Sequence, residues 1–327
     1  MGQLGYAASF EQFHPNDMLE WCKLAEQNGF EVVTASDHFH PWVPSQGHSA
    51  FVWSWLGALG QATNLRFLTG VTPPGWRYHP AVLAQAAATL EAMYPGRFAL
   101  GLGAGEALNE HIVGDYWPEA PTRLERLVEA IDIIQKLFTG KVVKHRGKHF
   151  TVESARIYTL PDAPPPIYVA TSGPIMAGRT GKLVDGIITV GAADEKLKML
   201  MDRFEKGARD AGKDPANMAR MLQVKVSYAE TDQEAIDSAV RDWPNGGMNF
   251  PKADIRNPED FEAMAKLVRP DNFKNRVLMS ADLDEHVAYI QHFIDLGFQE
   301  IHVHNVNRNQ EKFIEAYGKH VLPKLKW

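Results

Sequence analysis

Short runs of apolar and β-branched residues alternate with longer amphipathic stretches along almost the whole chain. Each amphipathic stretch repeats its apolar positions at helical spacing, as Met18, Cys22 and Ala25 do within residues 15–28. Further helices are predicted at residues 51–62, 81–93, 122–138 and 310–325. The predicted strands are residues 2–9, 31–36, 65–71, 98–103, 167–170, 186–190, 222–228 and 300–305.

This alternation predicts an α/β fold in which parallel strands are joined by right-handed helical crossovers. Eight strands favour a closed (β/α)8 TIM barrel over an open, doubly wound sheet. Thr122 is the expected N-cap of the long helix, and Gly140 is expected to end it. In such a barrel the chemistry lies where the strands end on the C-terminal face.

Two segments depart from the strand and helix rhythm. Residues 141–158 are expected to form a hairpin, because two short strand patterns flank a glycine there. Residues 243–275 combine glycines with several prolines, and we expect an irregular insertion there. We therefore expect one barrel domain over residues 1–327, with the insertion inside it.

Composition excludes several classes of protein. The 327 residues are 45% hydrophobic and 23% charged, which is typical of a globular chain. A net charge of -6 argues against a nucleic-acid partner or an anionic membrane partner. No secretion signal or membrane span is expected, because the most apolar stretch, residues 51–60, is too short. Cys22, the single cysteine, is expected to pack inside and suits the cytoplasm.

Titratable side chains follow three of the predicted strands. The first strand leads to Glu11, the second to Asp37 and His38, and the fourth to Glu106 and Asn109. Because neighbouring strand residues point to opposite faces, only one of Asp37 and His38 can face a pocket unless the chain bends there. A general base oriented by a carboxylate is one interpretation of this pair.

Simpler interpretations of the histidines remain open at this point. His38 could be a core histidine bonded to a carbonyl, and His38 with His40 could bind a metal, although the pattern lacks a third ligand. His302 and His304 alternate onto one face of the last strand and are interpreted as structural or pocket-lining. We therefore expect no metal site.

Two glycine-rich stretches do not match the nucleotide-binding motifs that they resemble. The run Gly101, Gly103, Gly105 has Glu106 where a dinucleotide fingerprint needs its third glycine. Residues 173–180 have Arg179 where a phosphate-binding loop needs lysine. Glycines at strand ends instead allow a flat ring or a phosphate to approach the backbone.

Three longer segments carry a family resemblance. SDHFHPW at 36–42, WRYHPAVLAQAAATLEAMYPGRFALGLGAGEALNE at 76–110 and VATSGPIMAGRTG at 169–181 resemble the coenzyme F420 (deazaflavin)-dependent glucose-6-phosphate dehydrogenases. These enzymes belong to the luciferase-like superfamily, as does an F420-dependent secondary alcohol dehydrogenase. The resemblance covers nearly the whole chain, is dense to about Gly186, and implies a barrel with an insertion.

The resemblance also implies a set of site residues. It implies that His38, Trp42 and Glu106 surround the reactive carbon of the deazaflavin, and that a cis peptide bond joins Gly70 and Val71. Pro73 departs from the family, which has a threonine there. The residues implied to hold the deazaflavin are Asp37, Gly70, Val71, Gly105, Glu106, Asn109, Ser172 and Gly173.

The implied phosphate clamp is incomplete. Thr189, Lys252 and Arg276 match three of its four positions, but Ala192 stands where the family has a second lysine. Losing that cation costs about 1.5 to 3 kcal/mol of charge-assisted bonding unless Lys196 or Lys198 replaces it.

The function implied is hydride transfer from an alcohol carbon, C1 of a sugar 6-phosphate such as glucose 6-phosphate, to C5 of the deazaflavin. His38 is expected to accept the hydroxyl proton, Trp42 to stabilise developing positive charge, and Glu106 to supply a proton at the N1 side of the ring. The roles of His38 and Glu106 could be exchanged.

The alternatives are the same chemistry on a secondary alcohol or other non-phosphorylated alcohol, an FMN-dependent monooxygenase, and a non-catalytic deazaflavin carrier. A homodimer is implied by the family alone.

Overall fold

Eight parallel strands close into a barrel in the computed structural model, which describes residues 2–327. Closure occurs at β9, which pairs with β8 on one side and β11 on the other, so no edge of the barrel is left open. The predicted (β/α)8 barrel is therefore confirmed. The barrel strands are β1 Gln3–Ala8, β2 Val32–Ala35, β3 Arg66–Thr69, β4 Phe98–Leu102, β7 Ile167–Ala170, β8 Gly186–Val190, β9 Ala219–Tyr228 and β11 Glu300–Asn305.

Helices cover the outside of the barrel between successive strands. They form because their apolar faces bury against the outward side chains of the strands. The helices are α1 Pro15–Gln27, α2 Val52–Ala62, α3 Pro80–Met93, α4 Ala107–Glu110, α5 Ala120–Leu137, α6 Pro174–Leu183, α7 Asp194–Asp210, α8 Asp232–Asp242, α9 Pro258–Ala265, α10 Leu283–Asp295 and α11 Gln310–Ala316. Among residues 2–327, no helix is long and apolar enough to cross a membrane.

The strands alternate their side chains between two apolar layers, as the two-residue period of a strand requires. On β9, Leu222 and Val224 join the large core between strands and helices, whereas Met221 packs inside the barrel. Cys22 is buried in the outer core, as expected. The same alternation carries inward-facing polar residues toward the C-terminal end of the barrel.

Two details differ from the expected elements. Helix α5 begins at Ala120, so Thr122 lies in its first turn and is not the N-cap, because Pro121 already suits the start of a helix. A short strand, β10 Leu278–Ser280, pairs with the end of β9 and was not expected from its three residues. The expected hairpin is present as β5 Val143–Arg146 and β6 Thr151–Ala155.

Residues 243–275 cover part of the C-terminal face. The segment contains α9 and two short 3-10 turns, and it builds a small apolar cluster of its own. Trp243, Phe261 and Phe273 are buried in that cluster together with Val43 and Leu108, which follow β2 and β4. The segment is thereby held against the loops in which the candidate chemistry lies.

Candidate active site

A cavity of about 630 Å³ lies at the C-terminal ends of the barrel strands. It collects side chains from loops that are far apart in sequence, and nearly all of the predicted site residues are among them. Gly173 does not line it; this residue caps α6, and Thr171 lines the cavity beside Ser172. The predicted site residues that line the cavity are Asp37, His38, Trp42, Gly70, Val71, Gly105, Glu106, Asn109, Ser172, Thr189, Lys252 and Arg276.

His38 lies between two carboxylates. Its Nδ1 is 3.4 Å from Glu11 Oε1 and 3.3 Å from the carbonyl oxygen of His40, and its Nε2 is 4.0 Å from Glu106 Oε2. A carbonyl oxygen can only accept a hydrogen bond, so the proton of the neutral ring resides on Nδ1. This tautomer leaves Nε2 free to accept a proton from the cavity.

Glu11 is held in place for that contact. Its Oε2 accepts hydrogen bonds from the hydroxyls of Ser9 and Ser36, both at 2.8 Å. The carboxylate is buried, and His38 is its one ion-pair partner within 4 Å among residues 2–327. The arrangement is that of a base whose ring is oriented by a fixed carboxylate.

Asp37 and His38 both line the cavity, which adjacent residues can do only where the chain bends. The reason is that β2 ends at Ala35, and the chain beyond it leaves the strand pleat. Asn109 supports this bend, because its Oδ1 accepts hydrogen bonds from the backbone N–H groups of Phe39 and His40 at 2.9 and 3.1 Å.

Asp37 is almost fully paired by protein donors. Its carboxylate accepts hydrogen bonds from Thr72 at 2.6 Å, Arg77 at 2.9 Å and Tyr78 at 3.1 Å. Arg77 also donates to Glu110 at 3.1 Å. Burial raises the pKa of Glu110 to about 7 although Arg77 attracts the charged form. Asp37 therefore belongs to a buried network that shapes the cavity wall.

Glu106, unlike Asp37, has a carboxylate oxygen that no donor in the described part of the chain pairs. Its Oε2 is buried in the cavity wall and has no hydrogen-bond partner within residues 2–327. Burial raises the pKa of Glu106, and attraction to His38 and Lys252 offsets only part of this effect. Gly105, with φ at 80°, allows the preceding chain to turn closely past Pro73.

One wall of the cavity is nearly bare backbone. The bond between Gly70 and Val71 is cis, as the resemblance implied, and both residues line the cavity. A Cβ at Gly103 would stand 2.5 Å from Val71, so the glycine allows these segments to pack together. This wall, together with the unpartnered Glu106 oxygen that also lines the cavity, suits a planar ring that carries polar groups on its edge.

The three residues of the implied clamp all line the cavity. Lys252 donates a hydrogen bond to the carbonyl of Asn245, and its ammonium lies 5.8 Å from the centre of the Trp42 ring. Burial, followed by repulsion from Lys225, lowers the pKa of Lys252 to about 8. Arg276 is bonded to Asn249, and Thr189 is buried at the end of β8.

A second cavity of about 370 Å³ adjoins the first and shares Thr189 and Arg276 with it. Ala192 lines this second cavity, and so does Lys196. Lys196 therefore lies near the position of the missing lysine, whereas Lys198 lines neither cavity.

The remaining histidines are divided between packing and the cavity. His302 is buried inside the barrel beside Thr34 and Glu300. His304 lines the cavity and packs against Trp243, and burial lowers its pKa to about 3, so it is neutral there. His40 bonds to the carbonyl of Leu108 at 2.8 Å and does not line the cavity.

Sequence reasoning missed three charged residues in or beside this cavity. Glu11 had been noted at a strand end without a role, although it contacts His38 directly. Arg77 stands inside the quoted WRYHPA segment, and its partners come from other loops. Lys225 is a charged residue at an inward position of a predicted strand, which was the available signal for it.

A closed barrel with titratable groups at the C-terminal ends of its strands is the arrangement of barrel enzymes. Residues 2–300 match the family described as "Luciferase-like monooxygenase". The chain therefore belongs to the luciferase-like family, and the resemblance proposed from its motifs is confirmed.

Its curated relatives are similar over their full length. The F420-dependent glucose-6-phosphate dehydrogenase of Microbacterium testaceum (strain StLB037) is 39% identical, covering 99% of this chain and 97% of the relative. The F420-dependent glucose-6-phosphate dehydrogenase 2 of Rhodococcus jostii (strain RHA1) is 37% identical over 99% and 98%. A solved F420-dependent secondary alcohol dehydrogenase in complex with an F420-acetone adduct is 36% identical, with a TM-score of 0.94, covering 100% and 99%.

Proposed function

We propose that this chain is an F420-dependent dehydrogenase that oxidises an alcohol carbon, with C1 of a sugar 6-phosphate such as glucose 6-phosphate as the site of oxidation. The observation that carries the proposal is the position of His38 between Glu11 and Glu106 in a cavity that Lys252 and Arg276 also line. The full-length similarity to F420-dependent glucose-6-phosphate dehydrogenases supports it.

Oxidation of an alcohol removes a hydride from carbon and a proton from the hydroxyl group. His38 Nε2 is the acceptor of that proton, because the carbonyl of His40 holds the ring proton on Nδ1. Glu11 stabilises the imidazolium that results, since its carboxylate is 3.4 Å from Nδ1.

Glu106 and Trp42 act beside this base. Because burial raises the pKa of Glu106, its carboxyl holds a proton at pH values at which an exposed glutamate has lost it. The ring of Trp42 packs 5.2 Å from that of His38 and stabilises positive charge nearby.

The residues that would hold F420 are those of the backbone wall at Gly70 and Val71 and the polar residues that line the cavity with it. Gly70, Val71 and Gly105 offer close approach, whereas Asn109 and Ser172 offer hydrogen bonds. Asp37 acts through its network with Arg77, so we assign it a positioning role. When bound, F420 accepts the hydride.

The phosphate is assigned to the cationic end of the cavity. Arg276 can grip a phosphate through paired N–H groups, Lys252 adds a point charge, and Thr189 adds a hydroxyl. Lys196, which lines the adjoining cavity, supplies the positive charge of the lysine that Ala192 replaces.

A non-phosphorylated secondary alcohol is the second candidate substrate. Two observations favour it: Ala192 lacks the cation of the clamp, and the F420-dependent secondary alcohol dehydrogenase has a TM-score of 0.94 with this chain. Lys252 and Arg276 oppose it, because a small apolar alcohol leaves both cations without a partner.

The test is a panel of glucose 6-phosphate, glucose and 2-propanol, each mixed with the enzyme and oxidised F420, in which the loss of deazaflavin absorbance is followed. We expect the largest kcat/KM for glucose 6-phosphate. Preference for 2-propanol would select the second candidate, and absence of F420 binding together with binding of FMN would reject the proposal.

We also propose that the chain works as a cytoplasmic homodimer and folds as one barrel domain with residues 243–275 inserted in it. The similarity to full-length relatives supports one domain, because each match covers nearly the whole of both chains. Light scattering after size-exclusion chromatography tests the dimer, and a single unfolding transition tests the single domain.

A further inference from the structure

Lys225 is a cationic residue in the cavity that has no role in the proposed reaction. It lies on β9, whose alternation turns Met221, Gln223 and Lys225 toward the barrel interior, and all three line the cavity. Within residues 2–327 its ammonium group makes no hydrogen bond and no ion pair at contact distance. Lys225 is half-buried, and an ammonium that faces a cavity without a protein partner is available to a ligand that enters it.

The charged groups around Lys225 do not satisfy it. Glu11 is engaged by two serine hydroxyls and His38, and Lys252 is bonded to the Asn245 carbonyl. His304 is neutral, because burial and then the charge of Lys225 lower its pKa to about 3. Glu106 attracts Lys225 through space, but its Oε2 has no partner either. The cavity therefore presents a donor and an acceptor that both lack partners.

These two groups restrict the class of substrate. A simple secondary alcohol has one hydroxyl, and the proposed reaction already assigns that hydroxyl to His38. Lys225 and Glu106 would then remain desolvated and unpaired beside an alkyl group. A substrate with several neighbouring hydroxyls supplies an acceptor for Lys225 and a donor for Glu106 Oε2.

We propose that Lys225 is a specificity-determining residue that binds the hydroxyl groups of a polyhydroxylated substrate in the cavity. The proposal rests on the proposed function and deepens it, because it assigns the sugar ring, and not the phosphate alone, as a recognised part of the substrate. It predicts that the cavity prefers sugars to simple alcohols even when the phosphate is removed.

The experiment measures binding without turnover. The parent, Lys225→Met and the control Lys319→Met are loaded with reduced F420, which cannot take another hydride, and are titrated calorimetrically with glucose 6-phosphate, glucose and 2-propanol. Lys319 is an exposed lysine that does not line the cavity. Lys225→Gln, which keeps a polar end, is measured in parallel and replaces Lys225→Met if that variant does not fold.

We expect Lys225→Met to raise the Kd of glucose 6-phosphate and of glucose at least tenfold, because one hydrogen bond to a charged group is lost in both cases. The Kd of F420 and of 2-propanol should stay within twofold of the parent, and Lys319→Met should change nothing.

Three outcomes would overturn the proposal: no change with either sugar, equal weakening of 2-propanol, or weakening of glucose 6-phosphate alone, which would assign Lys225 to the phosphate. The titration needs no turnover. If the parent oxidised no alcohol, the proposed function would be rejected, but the binding data would still test the role of Lys225.

Discussion

The two sides of the cavity pair their charged side chains differently. Beyond β2 and β3, the Arg77 guanidinium lies between Asp37 and Glu110, and the three side chains are 7%, 1% and 0% exposed. Across the barrel, Lys225 on β9 makes no ion pair within residues 2–327, and Lys252 is bonded only to a backbone carbonyl.

The difference separates charged side chains that stabilise the structure of the site from charged side chains that are available to bind a ligand. A buried charge that is fully paired is held in one position by the protein itself, so its removal damages the fold. A charge whose partners are missing inside the protein contributes little to stability and is available for binding. We therefore expect variants on the first side to change stability and variants on the second to change recognition.

The largest effect is expected at His38, which lies between the two sides. His38→Ala should lower kcat by about 10² to 10⁴, the usual contribution of a positioned general base, and leave the Kd of F420 nearly unchanged. Steady-state kinetics and a cofactor titration measure the two quantities. His292→Ala, at an exposed histidine bonded to Asp194, is the matched control. If His38→Ala turned over at the parent rate, His38 would be a packing histidine and not the general base.

Arg77→Met should lower the free energy of unfolding by about 3 to 5 kcal/mol, because it leaves the Asp37 and Glu110 carboxyls buried without their cation. Urea denaturation measures this change. The comparison is sharpened by Lys225→Met, which should leave the free energy of unfolding unchanged or raise it. Equal losses in the two variants would contradict the distinction between the two sides.

Arg276→Ala should raise KM for glucose 6-phosphate roughly tenfold or more, since a charge-assisted hydrogen bond is worth about 1.5 to 3 kcal/mol. The KM for glucose and the affinity for F420 should hardly change. The measurement is the ratio of the two KM values in parent and variant. If both substrates lose equally, the phosphate clamp is wrong and a non-phosphorylated alcohol becomes the preferred substrate.

The smallest effect concerns the pH dependence that Lys252 confers. Burial lowers its pKa to about 8, so its positive charge is complete well below pH 8 and is lost as the pH rises through that value. KM for glucose 6-phosphate should therefore rise by at most about tenfold between pH 7 and 9. Lys252→Arg keeps its charge and should flatten this limb of the pH profile; an unchanged limb would assign it to another group.

The sequence predicted the barrel well because each strand and helix is encoded by a local period. The strand at 300–305 was predicted with the bounds that it has in the structure, since alternating apolar and polar residues mark it clearly. Strand β10 was missed because three residues contain too little pattern, and it exists only through its pairing with the end of β9. Thr122 was misassigned because the capping preference of threonine was weighed above Pro121.

All but one of the site residues that the family resemblance implied line the cavity, because motifs such as SDHFHPW keep their identity in the sequence. The resemblance assigned Gly173 to the cofactor, but this residue is the N-cap of α6 and does not line the cavity. It also gave no role to Arg77 or Lys225, because the carboxylate partners of Arg77 come from other loops and Lys225 lies outside the three segments that carry the resemblance.

By itself the sequence determined the alternation of elements, the closed barrel and the family, because periodicity and motifs are properties of short segments. Only the tertiary structure decided which charges are paired. Arg77 reaches Asp37 across 40 positions of the chain, and Lys225 meets the loops of Glu11 and Glu106 only after the barrel has closed. Electrostatic pairing depends on distance in space and on burial, and both are set by how distant strands pack together.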